Sequence, residues 1–131
     1  MDDDKDWLLE DEGPMYRQLR IYEQASRIGD EIWDLTAGWS SFAQSTIGGQ
    51  IVRAADSVGA NLAEGSGRGT NPELLRFARI ARGSLCETQH WLARAKRRSL
   101  VEAQKAEQLE IAVESLLKQI NAFISKMSQK A

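Results

Sequence analysis

The sequence predicts an all-α fold, an antiparallel up-down-up-down four-helix bundle, and three observations predict it. Four segments repeat apolar residues at alternating three- and four-residue spacing, the period of one helix face. No segment shows the every-second-residue alternation of a half-buried strand. The connections between segments are only a few residues long, and short connections make neighbouring helices antiparallel.

Taken in order, residues 1–14 read as an acidic, flexible tail ending at Gly13-Pro14, and residues 15–128 as the four-helix bundle domain. The tail holds one apolar plug, Trp7-Leu8-Leu9. It is either a loose terminus or a docking segment whose aromatic finds a groove on a neighbour. From Met15 the pattern turns helical, with a stripe of Ile21, Ala25, Ile28, Ile32, Leu35 and Trp39 that Gly38, Ser40 and Ser41 close. A second stripe of Ile47, Ile51, Ala54, Val58, Leu62 and Gly65 ends in Gly65-Ser66-Gly67, where glycines are expected to supply left-handed C-terminal conformations. The third helix opens on a capping box from Thr70 to Glu73, with Pro72 in the first turn where its missing N–H costs nothing. Its stripe is Leu74, Phe77, Ala78, Ala81, Leu85, Thr88, Leu92 and Ala95. Ser99 and Glu102 have capping-box spacing and are expected to start the last helix, whose stripe is Leu109, Val113, Leu116, Ile120, Phe123 and Met127.

Composition sets outer limits on function. With 131 residues, 42% hydrophobic and 27% charged, the chain suits one soluble domain with a core of its own. A single cysteine, Cys86, excludes an internal disulfide and a cysteine-based zinc site. No apolar run approaches a membrane span and the start is acidic, so no membrane role and a cytoplasmic location are expected.

A row of polar residues lies beside the second and third stripes. Ser57, Asn61 and Glu64 follow one another at four and three residues, and Ser84 and Glu87 stack the same way. They read as a structural polar network that fixes helix register or subunit pairing. A carboxylate di-metal bundle needs two Glu-x-x-His pairs, and only Glu87 and His90 make one. Gly65-Ser-Gly-Arg-Gly follows a helix and lacks the Gly-Lys-Ser/Thr ending of a phosphate loop. No catalytic residue, metal, cofactor or small-molecule substrate is therefore expected, and the chain does not read as an enzyme.

The formal net charge is −2, but it is unevenly spread. Residues 1–12 carry seven acids against Lys5. Residues 68–98 carry Arg68, Arg76, Arg79, Arg82, Arg94, Lys96, Arg97 and Arg98 against Glu73 and Glu87, eight less two or +6. These eight are candidates for contact with a nucleic-acid backbone. The competing readings are a solvated basic face and, for the cluster at the helix end, compensation of the helix dipole. A second seam on the third helix, Ile80, Gly83 and Trp91 with Glu87 and Arg94, is more than one bundle needs, and it marks a candidate oligomer interface. The acidic tail could rest on a neighbour's basic face.

The same stretch carries a family likeness. Ser57-Val-Gly-Ala-Asn61-Leu-Ala-Glu64-Gly65, a basic turn, Glu73-x-x-x-Phe77 and Ile80-Ala-x-Gly83-Ser84-Leu85-x-Glu87 resemble the bacterial four-helix bundle proteins, also called 23S ribosomal-RNA intervening-sequence proteins. The resemblance spans roughly residues 16–127 and departs at Gly59, where relatives commonly have proline. It implies a small non-enzymatic bundle that assembles into a homo-oligomeric ring, typically a pentamer. A distant branch of similar bundles serves as accessory variability proteins of diversity-generating retroelements, basic rings that bind nucleic acid and a reverse transcriptase. The net acidity of this chain departs from that branch. Two functions follow as expectations: a ring that contacts RNA, DNA or a nucleic-acid enzyme through its arginine-rich third helix, or a purely structural assembly module.

Overall fold

The computed structural model describes residues 7–10 and 13–130, and it is all-helical. The elements are α1 (Met15–Gln18), α2 (Arg20–Ala37), α3 (Ser41–Ala43), a π-helical turn (Gln44–Gly48), α4 (Gly49–Gly67), α5 (Asn71–Arg97) and α6 (Ala103–Lys130). Among the described residues the only β pairing is a single antiparallel bridge between Leu8 and Leu19.

The apolar stripes become the core. Ile21, Ile32, Ile51, Leu62, Leu85, Leu92, Leu109, Leu116, Ile120 and Phe123 are almost wholly removed from water. Leu35, Trp39 and Leu74, predicted for the same stripes, are only half-buried and pack against the core's edge. A smaller cluster at one end joins Ile47, Ala95, Val101 and Ala106, with Trp39, Trp91 and Leu100 against it. Cross-helix contacts fix the neighbours. Gly65 near the end of α4 lies on Leu74 and Phe77 at the start of α5. Arg82, Gln89 and Lys96 of α5 reach Asn121, Glu114 and Glu110 of α6, in reverse order along the chain. Lys105 of α6 pairs with Glu31 of α2 at 3.8 Å, and Gly29 of α2 lies on Asp56 of α4.

Several helix ends differ from the sequence expectation. The first helix is interrupted at Leu19, which is extended (φ −78°, ψ 126°) and bridges to Leu8. The tail's Trp7 meets Phe123 edge-on at 5.4 Å, and Trp7 and Leu8 both pack on this chain's own core. The rest of the acidic tail, residues 1–6, 11 and 12, lies outside the described residues.

The wide turn before α4 has a local cause. Thr46 Oγ1 donates to the Phe42 carbonyl at 2.7 Å, and Ser45 Oγ donates to it at 3.2 Å. Side chains competing for helix carbonyls favour such a departure from the α pattern.

The glycines at the α4–α5 corner divide their work differently from expectation. Gly65 and Gly67 stay helical, and only Gly69 takes a left-handed φ, +86°. Gly65 is required for space: a Cβ there would sit 2.7 Å from the Phe77 Cβ. Half of the predicted α5 capping box forms: Thr70 Oγ1 accepts from the Glu73 N–H at 3.4 Å and Pro72 sits in the first turn, while the Glu73 carboxylate pairs with Arg76 instead of returning to Thr70.

Ser99, in contrast, does not cap the last helix. It sits at φ 59° and ends α5, its N–H donating to the Lys96 carbonyl while the Leu100 N–H reaches Ala95. That is a Schellman stop with serine in the place usually taken by glycine. Glu102, whose carbonyl accepts from the Ala106 N–H at 2.8 Å, precedes α6.

Candidate functional site

The polar row is brought together only in part. Ser84 Oγ of α5 donates to Ser57 Oγ of α4 at 3.1 Å, and Asn61 Nδ2 donates to Ser57 Oγ at 3.1 Å and to the Ser57 carbonyl at 2.8 Å. Thr88 Oγ1 extends it by donating to the Ser84 carbonyl at 2.9 Å. This is a helix–helix clasp, half-buried and made of neutral groups. Glu64 and Glu87 stand apart from it: both are exposed. Glu64 pairs with Arg68 at 2.8 Å, and Glu87 accepts from Trp91 Nε1 at 3.0 Å. A carboxylate four residues before its partner finds that partner along its own helix, so neither needs the serines. His90 lies edge-on to Trp91 at 4.7 Å. Among the described residues no three of His, Cys, Asp and Glu converge in a way that could hold a metal.

The eight basic candidates fall into two groups. Arg68 and Arg76 pair with Glu64 and Glu73 and both lie over the Phe77 ring, at 5.1 and 4.4 Å. Arg82 donates to Asn121 Oδ1 at 3.2 Å, and Lys96 pairs with Glu110 at 3.0 Å. Arg79, Arg94, Arg97 and Arg98 have no protein partner among the described residues; Arg79, Arg97 and Arg98 are exposed and Arg94 half-buried. Three of these four crowd the last turn of α5 and just beyond it.

The interface candidates are also unequal. Ile80 is 42% exposed, and Gly83 faces outward, with nothing within 4 Å of a Cβ built on it. Trp91 already has own-chain partners, through Glu87 and the core edge. The sequence reading passed over Ile111 (62% exposed), Trp33 (62%) and Phe42 (79%). Ile111 carried a signal, since it falls two residues after Leu109 and off the α6 stripe.

One carboxylate is perturbed. Partial desolvation, and secondly the Asp30 carboxylate, raise Asp56 from its ordinary value, although the residue as a whole is exposed. It lies in a groove between α2 and α4 with Tyr22, Ser26 and Gly59.

By its architecture the chain is a small all-helical protein in which a neutral serine clasp joins α4 to α5. Residues 17–122 match the model of the 23S rRNA-intervening sequence protein family, and the chain belongs to that family. No curated protein matches the chain. Among solved structures it is similar to a protein of unknown function from the S23 ribosomal protein family of Bacteroides thetaiotaomicron VPI-5482. The two are 19% identical with a TM-score of 0.71, over 79% of this chain and 97% of that one. At that identity the likeness concerns the fold. No helix among the described residues is long and apolar enough to cross a membrane.

Proposed function

We propose that this chain is a non-enzymatic, homo-oligomeric binding or scaffold protein that contacts nucleic acid through the end of α5. A nucleic-acid enzyme such as a reverse transcriptase is the other partner of this class. The four long helices are read as an up-down-up-down antiparallel bundle, which the reversed order of the α5–α6 pairs and the Gly65–Phe77 approach support. A closed ring of copies, of the pentameric kind the family resemblance implies, would repeat the arginine cluster on every subunit and turn weak contacts into avidity.

The observation that carries this reading is the set of Arg94, Arg97 and Arg98, gathered at one helix end without protein partners among the described residues. Guanidinium groups left unpaired within the fold are available to phosphate oxygens. The test is fluorescence anisotropy with short RNA and DNA duplexes and single strands over a salt series. Affinity should fall steeply with salt, and Arg97→Ser with Arg98→Ser should flatten the slope. Binding that is absent at low salt, or indifferent to salt, rejects the nucleic-acid contact.

A purely structural module is the second reading. It is favoured by Arg68, Arg76, Arg82 and Lys96, half of the basic candidates, being engaged within the chain. Absence of nucleic-acid binding together with assembly by light scattering would select it.

A further inference from the structure

We propose that copies of this chain join head to tail, the Ile80–Gly83 face of α5 on one copy seating the Ile111 ridge of α6 on the next. The proposal rests on the assembly reading above and specifies its two surfaces.

On α6, Ile111 projects, 62% exposed, at the edge of a groove of about 680 Å³ that has Leu92 in its wall and Glu107, Glu110 and Glu114 along it. Lys118 is its one lining cation. Glu110 is shared with Lys96, and Glu114 accepts from Gln89 at 3.2 Å. Glu107 has no partner among the described residues. Residues 107, 111, 114 and 118 share one line along a helix, so an isoleucine stands in water with carboxylates above and below it.

The α5 surface offers open space for an apolar side chain and an unpaired cation beside it. Ile80 is half-exposed, and Gly83, one turn on, leaves a seat with no side chain in it. Arg79 stands beside that seat with no partner among the described residues, while Arg76 is paired with Glu73, Arg82 is held by Asn121, and exposed Glu87 follows one turn after Gly83. An apolar centre inside a charged rim is how specific interfaces are built, and opposite rims select orientation. Two like copies of the α6 face would set glutamate against glutamate, whereas Arg79 beside the α5 seat offers the unpaired Glu107 an opposite charge.

The two surfaces cannot meet within one chain. Ile111 lines its groove beside Leu92, which lies nine residues from Gly83, about 13 Å along the helix axis. The contact is therefore between copies and uses different patches on each. Such a contact closes a ring when the rotation per copy allows it and otherwise continues as a filament.

Charge reversal tests the pairing in the full chain. Arg79→Glu and Glu107→Arg each remove a side chain with no internal partner, so helix content by circular dichroism should be unchanged. Each should weaken association about tenfold by sedimentation and light scattering, and the double variant should recover it. An independent readout uses Cys86→Ser with Gly83→Cys and Ile111→Cys. Under oxidation, covalent multimers should appear only when both new cysteines are present, because a disulfide needs Cα atoms within about 7 Å. A wild-type chain that assembles while both reversals assemble equally well, or a dimer formed through Gly83→Cys alone, overturns the pairing and leaves assembly standing. A wild-type chain that stays monomeric overturns both.

Discussion

Three glycines within five residues, replaced one at a time by alanine, should change stability in different directions for different reasons. At Gly65 the new Cβ would lie 2.7 Å from the Phe77 Cβ and 3.3 Å from the Leu74 Cα, where ordinary contact begins at 3.4 Å. The nearer neighbour must retreat by at least about 0.7 Å, and both atoms belong to the first turns of α5 rather than to a flexible tip. Overpacking of that kind costs about 1–3 kcal/mol. Alanine's better helix propensity returns up to about 1 kcal/mol. Because neither neighbour is a flexible tip, the cost falls in the upper half of that range, about 2–3 kcal/mol, and Gly65→Ala should destabilise by about 1–2 kcal/mol net. At Gly67 nothing lies within 4 Å, so Gly67→Ala keeps only the propensity gain, stabilising by up to about 1 kcal/mol. At Gly69 space is open but φ is +86°, and an L side chain there costs about 1–2 kcal/mol. Gly69→Asn should recover part of that loss, since asparagine tolerates the left-handed region, whereas Gly65→Asn should be worse than Gly65→Ala. Urea unfolding at one fixed protein concentration gives all five values. Gly65→Ala at or above wild-type stability would show that the close approach of α4 and α5 is not a constraint.

The Schellman stop of α5 places Ser99 at φ 59°, so Ser99→Gly should stabilise by about 1 kcal/mol in the same urea assay. Asp56 keeps its proton to higher pH in the folded chain than in the unfolded one, because partial desolvation and then Asp30 raise it. Its contribution is most favourable below about pH 4 and is lost as pH rises through the raised folded value. Asp56→Asn should accordingly gain on wild type at about pH 7, and the gain should vanish in acid, as thermal melts over roughly pH 3–8 would report. Trp7→Ala removes the edge-on contact with Phe123 and should lower stability by about 1–3 kcal/mol, read by chemical unfolding.

Local and periodic features were legible in the sequence, and features set by distant partners were not. The buried stripes of α4 and α6 follow the spacing of Ile51, Val58 and Leu62 and of Leu109, Val113 and Ile120. The Thr70 cap rests on chemistry within four residues and is found where the spacing puts it. The interruption at Leu19 depends on Leu8, eleven residues away, and no helical period announces it. Gly65 and Gly69 look alike as letters, yet one answers to Phe77 across the corner and the other to its own φ. Ser99 has the spacing of an N-cap to Glu102, but its backbone had already been turned left-handed to end α5. Glu64 and Glu87 share a register with the serines, but each has a nearer partner on its own helix, Arg68 and Trp91. Among the basic residues, sequence could not separate those held by Glu73, Asn121 and Glu110 from those left free.

On the proposed reading, that separation would let one helix hold two tasks. The proposed assembly seat ends at Gly83 and the free arginine cluster begins at Arg94, eleven residues or about 16 Å further along α5. Screening in physiological salt acts over about 8 Å, so charge reversed at Arg79, fifteen residues or about 22 Å from Arg94, is nearly three screening lengths from the cluster. An Arg79→Glu variant that no longer assembles should thus keep the intrinsic affinity of each subunit for a short duplex and lose the avidity of the ring for a long one. The comparison is direct: anisotropy with a duplex short enough for one subunit, then with one long enough for several. Equal loss on both would mean that Arg79 contacts the nucleic acid itself, and that the two halves of α5 form one surface.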